Sequence, residues 1–444
     1  VSARIACALA ALALAAGLAA GPGAAAQPPP VVLGVTTSLR YLEGADSLRA
    51  ALLAVEEINA AGGVEVAGVR RRLELAPLDL DDASPGAEAA RVARRLERFL
   101  AGRTVHAIVV GPFRSEVLLS CLEVIARHRV PLLGTIAMTA ATEELVMRQP
   151  RFRYVFRVGL DSSYLVEYLA QAMAMLEERY GWRRVFIINQ DVAWARATAG
   201  RLVRVFFKPR GWRVLGQENV PSGAEEFAPV LKQARRLGAQ VILPIFDMPQ
   251  SSYLVEQWAS RRVPALICGF ISPLAGPGAW QAFGGKVDGL LNLAFELGNL
   301  PSARHPPSVT FYRAFQRRFG QPIQAGHGPA PAYEAVHILA EAIARAGSLD
   351  PEALVDELEA TDRAGVMGRV RFHPGHQAIF GDHPDRAALA CLFQWRPDGR
   401  RVIVHPAAVA EGRVELPEFV RPPAPSGDKR PTGVTKGDTQ GQRP

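Results

Sequence analysis

Short apolar runs alternate with longer amphipathic ones along most of this chain, and that alternation limits the folds open to it. VVLGVT (31–36) reads as a strand, and 47–61 as a helix with Leu48, Leu52, Val55 and Ile58 on one face, stopped by Gly62 and Gly63. RLELAPLDL (72–80) alternates like a strand, 86–101 is helical, HAIVVG (106–111) is a buried strand, a helix runs to about Arg129, and VPLLG (130–134) is the next strand. Strand followed by helix, repeated, builds a parallel sheet covered on both faces. The same order restarts at RRVFIIN (183–189) and continues through 193–209, WRVLGQE (212–218), 227–237, AQVILPIF (239–246), 250–261, PALICGF (264–270) and DGLLNLAF (288–295). Helices follow over 309–319 and 332–346, then a short one opened by Pro351 with Asp350 as its N-cap. From Gly368 onward, RVRF, AALACLFQW and RRVIVH read as closing strands.

At 444 residues the chain is longer than one core usually serves, so two lobes are expected. The formal charge is +8, but Arg70 to Arg72, Arg94, Arg95, Arg183, Arg184, Arg261 and Arg262 are scattered among nearly as many acids. Nucleic-acid binding needs a concentrated patch and is set aside. Arg4, an apolar run over 5–20 and Ala24-Ala25-Ala26 before Gln27 read as a signal peptide over 1–26, which implies export to the periplasm. Cys7 lies too early to attach a lipid, so no lipid anchor is expected. Cys121, Cys268 and Cys391 form no CxxC pair and sit in apolar stretches, where they pack as small hydrophobes. The segment 421–444, rich in Pro, Gly, Lys and Asp without periodicity, reads as a disordered tail.

VVGPFRSEV (109–117) carries the first site signal. Gly111 permits a close turn, Pro112 stiffens it, and Ser115 reads as an N-cap beside amides that carry a helix's partial positive charge. Such a turn lies beyond the carboxyl end of a parallel strand, where open α/β sheets take ligands. The next strand end, TIAMTAATEEL (135–145), brings Thr135, Thr139 and Thr142 to the same edge, so a polar cup is expected there; ordinary capping is the other reading. Phe113, Trp194, Phe246 and Phe270 fall at strand ends where a ligand could be sandwiched, with burial in the core as the alternative fate. His373, His376 and His383 read as a surface turn around Pro374-Gly375 and not as metal ligands. There is no GxSxG, GxxxxGK[ST] or HExxH, so neither a catalytic centre, a cofactor nor a metal is expected.

Taken in order, ALLAVEEINAAGGV (51–64), LDLDDASPGAEAARVARRL (78–96), VVGPFRSEV, TAATEEL (139–145), YVFRV (154–158) and PAYEAVHILAEAIARAG (331–347) resemble the leucine/isoleucine/valine-type periplasmic solute-binding proteins of ABC transporters. The resemblance spans about 31–415. It implies two doubly wound α/β lobes with mainly parallel sheets, joined by a three-segment hinge, with the ligand between them. The first lobe would comprise 31–157 plus 290–368, and the closing lobe 158–289 plus 369–420. Under the same resemblance Ser115 matches the serine that receives a ligand carboxylate, and Ala140, Ala141 and Thr142 match the segment that holds the head group. Trp194 in QDVAWARAT stands where the family places a closing tyrosine, and Phe246 where it often places another aromatic. The acidic residue that holds an ammonium in the family's amino-acid binders has no counterpart in ISPLAGPG (271–278). Asp247, Asp191 or Asp161 could replace it, or the ligand carries no ammonium; Arg114 could add a second hold on an anion, with a solvated Arg at a helix start as the other reading. The implied function is capture of an amino acid, amide or small carboxylate by a monomer that hands it to membrane permease and ATPase components. A ligand sensor for a membrane receptor, or an exported hydrolase, are the other readings.

Overall fold

Two separate sheets organise residues 28–420, the part of the chain that the computed structural model describes. The signal peptide and tail readings lie outside the described residues. In chain order the elements are β1 (Val31–Thr37), α1 (Leu42–Ala60), a hairpin of β2 (Val64–Val66) and β3 (Val69–Arg71), β4 (Leu73–Asp79), α2 (Ala89–Ala101), β5 (Ala107–Val110), α3 (Ser115–His128), β6 (Leu132–Gly134), α4 (Ala141–Arg148) and β7 (Val155–Arg157). The chain continues with α5 (Ser162–Tyr180), β8 (Arg184–Gln190), α6 (Ala193–Leu202), β9 (Arg213–Val220), α7 (Ala228–Arg236), β10 (Val241–Phe246), α8 (Ser252–Ser260), β11 (Leu266–Ile271), α9 (Gly278–Ala282) and β12 (Leu291–Ala294). It ends with α10 (Pro306–Phe319), α11 (Pro329–Ala346), α12 (Pro351–Glu359), β13 (Asp362–Gly365), β14 (Gly368–Arg371), β15 (Cys391–Trp395) and β16 (Arg401–His405).

The first sheet has the order β4-β1-β5-β6-β7, all parallel. Its central strands read as unbroken apolar runs because helices cover both faces, and Ala107 to Val110 have no exposed surface. Long α11 packs along α1 on this lobe. The second sheet has the order β16-β15-β12-β11-β10-β8-β9, parallel except for the last two strands, which return as antiparallel partners. The Asp350 carboxylate accepts from the Glu352 and Ala353 amides, which is the N-cap its place before Pro351 predicts.

Three features differ from the pattern-based expectation. The apolar run at 288–295 supplies β12, which sits between β11 and β15 in the second sheet, so the chain returns to the first lobe after Ala294 and not at 290. Residues 369 to 377 stay with the first lobe: β14 pairs with β13, and His376 stacks on Phe156 of β7 at 4.0 Å. His376 is therefore buried, not part of a surface turn. Helix α5 is absent from the sequence reading, although Leu165, Leu169, Ala172, Met173 and Leu176 lie on one buried face and Asp161 caps it by accepting from the Tyr164 amide.

Three segments cross between the lobes, and they are tied to each other. The Arg157 amide donates to the His376 carbonyl and the Ala378 amide to the Arg157 carbonyl, both at 2.8 Å. Gln377 accepts from Arg157 Nε at 2.8 Å and donates to the Gly159 carbonyl at 2.9 Å, while the Leu297 amide donates to the Leu389 carbonyl at 2.9 Å. Gly159 must be glycine here, because a Cβ would lie 2.2 Å from the Thr135 carbonyl oxygen. Glu296, without exposed surface, accepts from the Leu160 amide (3.2 Å), the Gly328 amide (3.2 Å), Asn299 Nδ2 (2.7 Å) and His327 Nδ1 (2.9 Å).

The His327 Nε2 atom faces the Ile136 carbonyl at 2.7 Å, so it carries a proton, and Nδ1 faces a carboxylate. Burial opposes charge on this imidazole, but Glu296 and the two hydrogen bonds outweigh it and hold its pKa above the usual histidine value. A raised histidine stabilises the fold fully below about pH 6.5, and the contribution is lost as pH rises through the folded value. Glu296→Gln should therefore cost roughly 3–5 kcal/mol near pH 6, with the gap from the native protein narrowing towards alkaline pH. Thermal unfolding across that range checks this, and a gap independent of pH would contradict it.

Candidate functional site

The carboxyl ends of β1, β5 and β6 in one lobe face those of β8, β10 and β11 in the other across a cavity. From the first lobe it is lined by Glu43, Phe113, Arg114, Ser115, Ile136, Met138 and His327. From the other side come Trp194, Asp247 and Phe270, with Phe295 just after β12. Open α/β sheets place ligands at such strand ends because helix N-termini and side chains converge there.

The turn after β5 is built differently from a plain anion cradle. Asp82 is buried, and its Oδ2 accepts from the Phe113 amide at 2.7 Å and the Arg114 amide at 3.0 Å, while the Ser38 hydroxyl donates to Oδ1 at 2.7 Å. Burial raises the Asp82 pKa, and these three donors work against that. Two amides of this turn, ahead of the helix, are thus occupied by the protein's own carboxylate. Helix α3 begins at Ser115, and Arg114 occupies the N-cap position without a side-chain cap. Ser115 is therefore not the N-cap, and its side chain lines the cavity.

Arg114 reaches across to the second lobe, where its Nη1 lies 2.6 Å from Asp247 Oδ2. Trp194 Nε1 donates to the same oxygen at 3.1 Å, and the Asp247 amide is held by Gln190 Oε1 at 3.0 Å. The pair is mostly shielded, with side-chain exposures of 19% and 13%. Behind it stands an aromatic wall. Trp194 meets Phe270 edge-on at 6.3 Å, and Phe270 stacks on Phe295 at 4.0 Å. Phe295 in turn meets the His327 ring at 4.9 Å.

Phe113, Arg114, Ser115, Trp194, Asp247 and Phe270 are therefore brought together, while Ala140, Ala141, Thr142 and Phe246 do not line the cavity. Arg157 explains the second turn. Its Nη1 binds the Ala137 and Thr139 carbonyls at 2.9 and 2.8 Å and draws the loop to the hinge, so Ile136 and Met138 face the cavity instead. Thr139 accepts from the Ala141 amide, Ala141 is exposed, and the Thr142 hydroxyl is buried without a partner. Phe246 is fully buried edge-on against Phe227 in the core of the second lobe. Asp191 pairs with Arg196, and Asp161 caps α5, so neither reaches the cavity.

Glu43, Ile136, Met138, Phe295 and His327 are the lining residues that pattern reading missed. Glu43 is 6% exposed, accepts from the Ser272 hydroxyl of the second lobe, and has its pKa raised by burial. In LEGADSL it looks like an ordinary acidic residue in a helix's first turn, which favours it through the helix dipole. Cys121, Cys268 and Cys391 are free and buried, and burial pushes the Cys121 thiol up to about 12. Among the described residues no group of His, Cys, Asp and Glu is arranged to hold a metal ion.

A family model described as periplasmic binding protein matches residues 31–390. The Leu/Ile/Val-binding protein homolog 8 of Brucella melitensis is 23% identical over 389 residues, covering 85% of this chain and 91% of that protein. Among solved structures, the substrate-binding protein LivJ of Streptococcus pneumoniae in complex with isoleucine superposes with a TM-score of 0.67 at 20% identity, over 85% of this chain and all of the other. A solute-binding protein of R. palustris in complex with benzoate also gives 0.67, at 15% identity, over 88% and 99% of the two chains. The structural likenesses carry the two-lobed fold. The family match spans most of the chain, and the protein belongs to the periplasmic binding protein family.

Proposed function

We propose that this protein is the extracytoplasmic solute-binding component of an ABC importer, enclosing one small organic solute with an apolar body and an ionised head group. The observation that carries this reading is the cavity itself, whose lining comes from both lobes and whose two sides are bridged by Arg114 and Asp247. A ligand held from both sides binds the closed form better than the open one, and that difference drives closure. Leucine-type amino acids and benzoate, the ligands that relatives' names carry, share a compact apolar body with a carboxylate. Trp194, Phe270 and Phe295 give such a body flat apolar walls. Ser115 and Arg114 stand where the head group enters, and a ligand carboxylate competes with Asp247 for the guanidinium. Residues 1–26 support export, and permease and ATPase components are the partners this role requires.

Calorimetry or thermal shift against branched and aromatic amino acids and carboxylates tests the reading. A solute at a hundredfold excess over its Kd should stabilise the protein by about 2.7 kcal/mol. Trp194→Ala should weaken the best solute by roughly thirtyfold or more, and Ser115→Ala by about fivefold, with both variants still unfolding cooperatively. Unchanged affinity in both removes this site.

The bridge between lobes is tested separately. Asp247→Ala should take away roughly 1–3 kcal/mol of bias towards closure and raise the radius of gyration of the ligand-free protein in small-angle scattering. An unchanged scattering curve would show that the pair does not hold the lobes together.

A further inference from the structure

Charged groups in and around the cavity are paired almost completely within the protein. Arg114 is matched by Asp247, His327 by Glu296, and the Phe113 and Arg114 amides just before α3 by Asp82. The exception is Glu43. Its side chain accepts from the Ser272 hydroxyl, it makes no ion pair among the described residues, and it lines the cavity while almost wholly buried.

We propose that the ligand carries a cationic nitrogen and that Glu43, from the first lobe, receives it between the aromatic walls. The assignment rests on the binding-protein reading above and adds the charge class of the solute. An incoming anion reaches the cations Arg114 and His327 only in competition with Asp247 and Glu296, so each of those contacts replaces an old one. An incoming ammonium meets a buried acid that lacks a counter-charge, so its contact is a net gain. Aromatic faces of Trp194, Phe270 and Phe295 attract the same charge once water is excluded. For a zwitterion the carboxylate then lies towards Ser115 and Arg114, at the other polar group of the cavity.

Ser272 couples this contact to closure. Its hydroxyl comes from the second lobe and reaches Glu43 in the first, so the acid is oriented from both sides only when the lobes meet. Burial raises the Glu43 carboxyl above the usual carboxylate range, against the Ser272 hydrogen bond that lowers it. A cationic nitrogen beside the carboxylate acts against that shift and favours its ionised form. Asp247 does not serve the same purpose, because Arg114 already supplies its counter-charge and shares Oδ2 with Trp194.

Matched solutes separate this from the alternatives. The full chain is titrated with L-leucine, 4-methylpentanoate and 3-methylbutan-1-amine, and with L-phenylalanine, 3-phenylpropanoate and 2-phenylethylamine, each set sharing one apolar body. Amine-bearing members should bind the native protein, and the deaminated acids at least tenfold more weakly. Glu43→Gln should weaken the amine-bearing members about thirtyfold or more and leave the deaminated acids unchanged, while Glu43→Asp should recover part of the loss. If Glu43→Gln fails to unfold cooperatively, the comparison of each amine with its deaminated partner on the native protein decides alone. Deaminated acids that bind as well as their parents, or a Glu43→Gln variant that binds amines like the native protein, overturn the assignment and leave the importer reading standing. If no member of either set binds, the small-solute reading falls with it.

Discussion

A single carboxylate at the hinge organises what surrounds it. Glu296 has no access to solvent, and a charge in that position is tolerated only if its lone pairs are filled. The donors are the Leu160 amide from the first crossing, Asn299 from the second, and His327 with the Gly328 amide from the loop that opens α11. The requirement that one oxygen pair meet four donors therefore fixes the first two crossings against that loop. The third crossing is held by the Gln377 amide, which bonds both Arg157 and Gly159. Hinge geometry and cavity geometry are consequently one problem, because His327, locked by Glu296 and the Ile136 carbonyl, is also part of the cavity lining.

That coupling shapes how the lobes can move. Backbone ties between crossings keep the segments side by side, while the contacts farther out, Arg114 with Asp247 and Ser272 with Glu43, join the lobes across the cleft. The hinge contacts lie within the connecting strands, whereas the cleft contacts need the two halves to approach. In the proposed role, a solute enclosed in the cavity acts on the second group, because Arg114, Asp247 and Glu43 line it. Closure is then set by the difference between contacts the solute makes and those it displaces.

Much of the fold was legible because its signals are local. Strand and helix periods, the Asp350 cap and the alternation along 31–134 depend on neighbours in sequence, and they appear where the pattern places them. Lobe membership at 288–295 was not local: β12 belongs to the second sheet because β11 and β15 flank it, which no period reports. The site divides the same way. Phe113 to Ser115, Trp194, Asp247 and Phe270 lie at or just beyond strand ends, so topology alone brings them together. Glu43 and His327 look like a helix-start acid and a loop histidine until the hinge folds them inward. Thr142 misses the cavity because Arg157, on the neighbouring strand, takes the carbonyls of the loop that precedes it.

Asp82 and Asp247 show why a familiar binding turn need not keep a familiar preference. The Phe113 and Arg114 amides would attract an anion if they were free, yet the intramolecular carboxylate of Asp82 is already in place and pays no translational entropy to stay there. A ligand anion therefore gains only the difference between its own contact and that of a tethered competitor. The same logic holds for Arg114 while Asp247 is beside it. Selectivity in such a cavity follows from the polar groups that internal pairing leaves over, not from how many polar groups it contains.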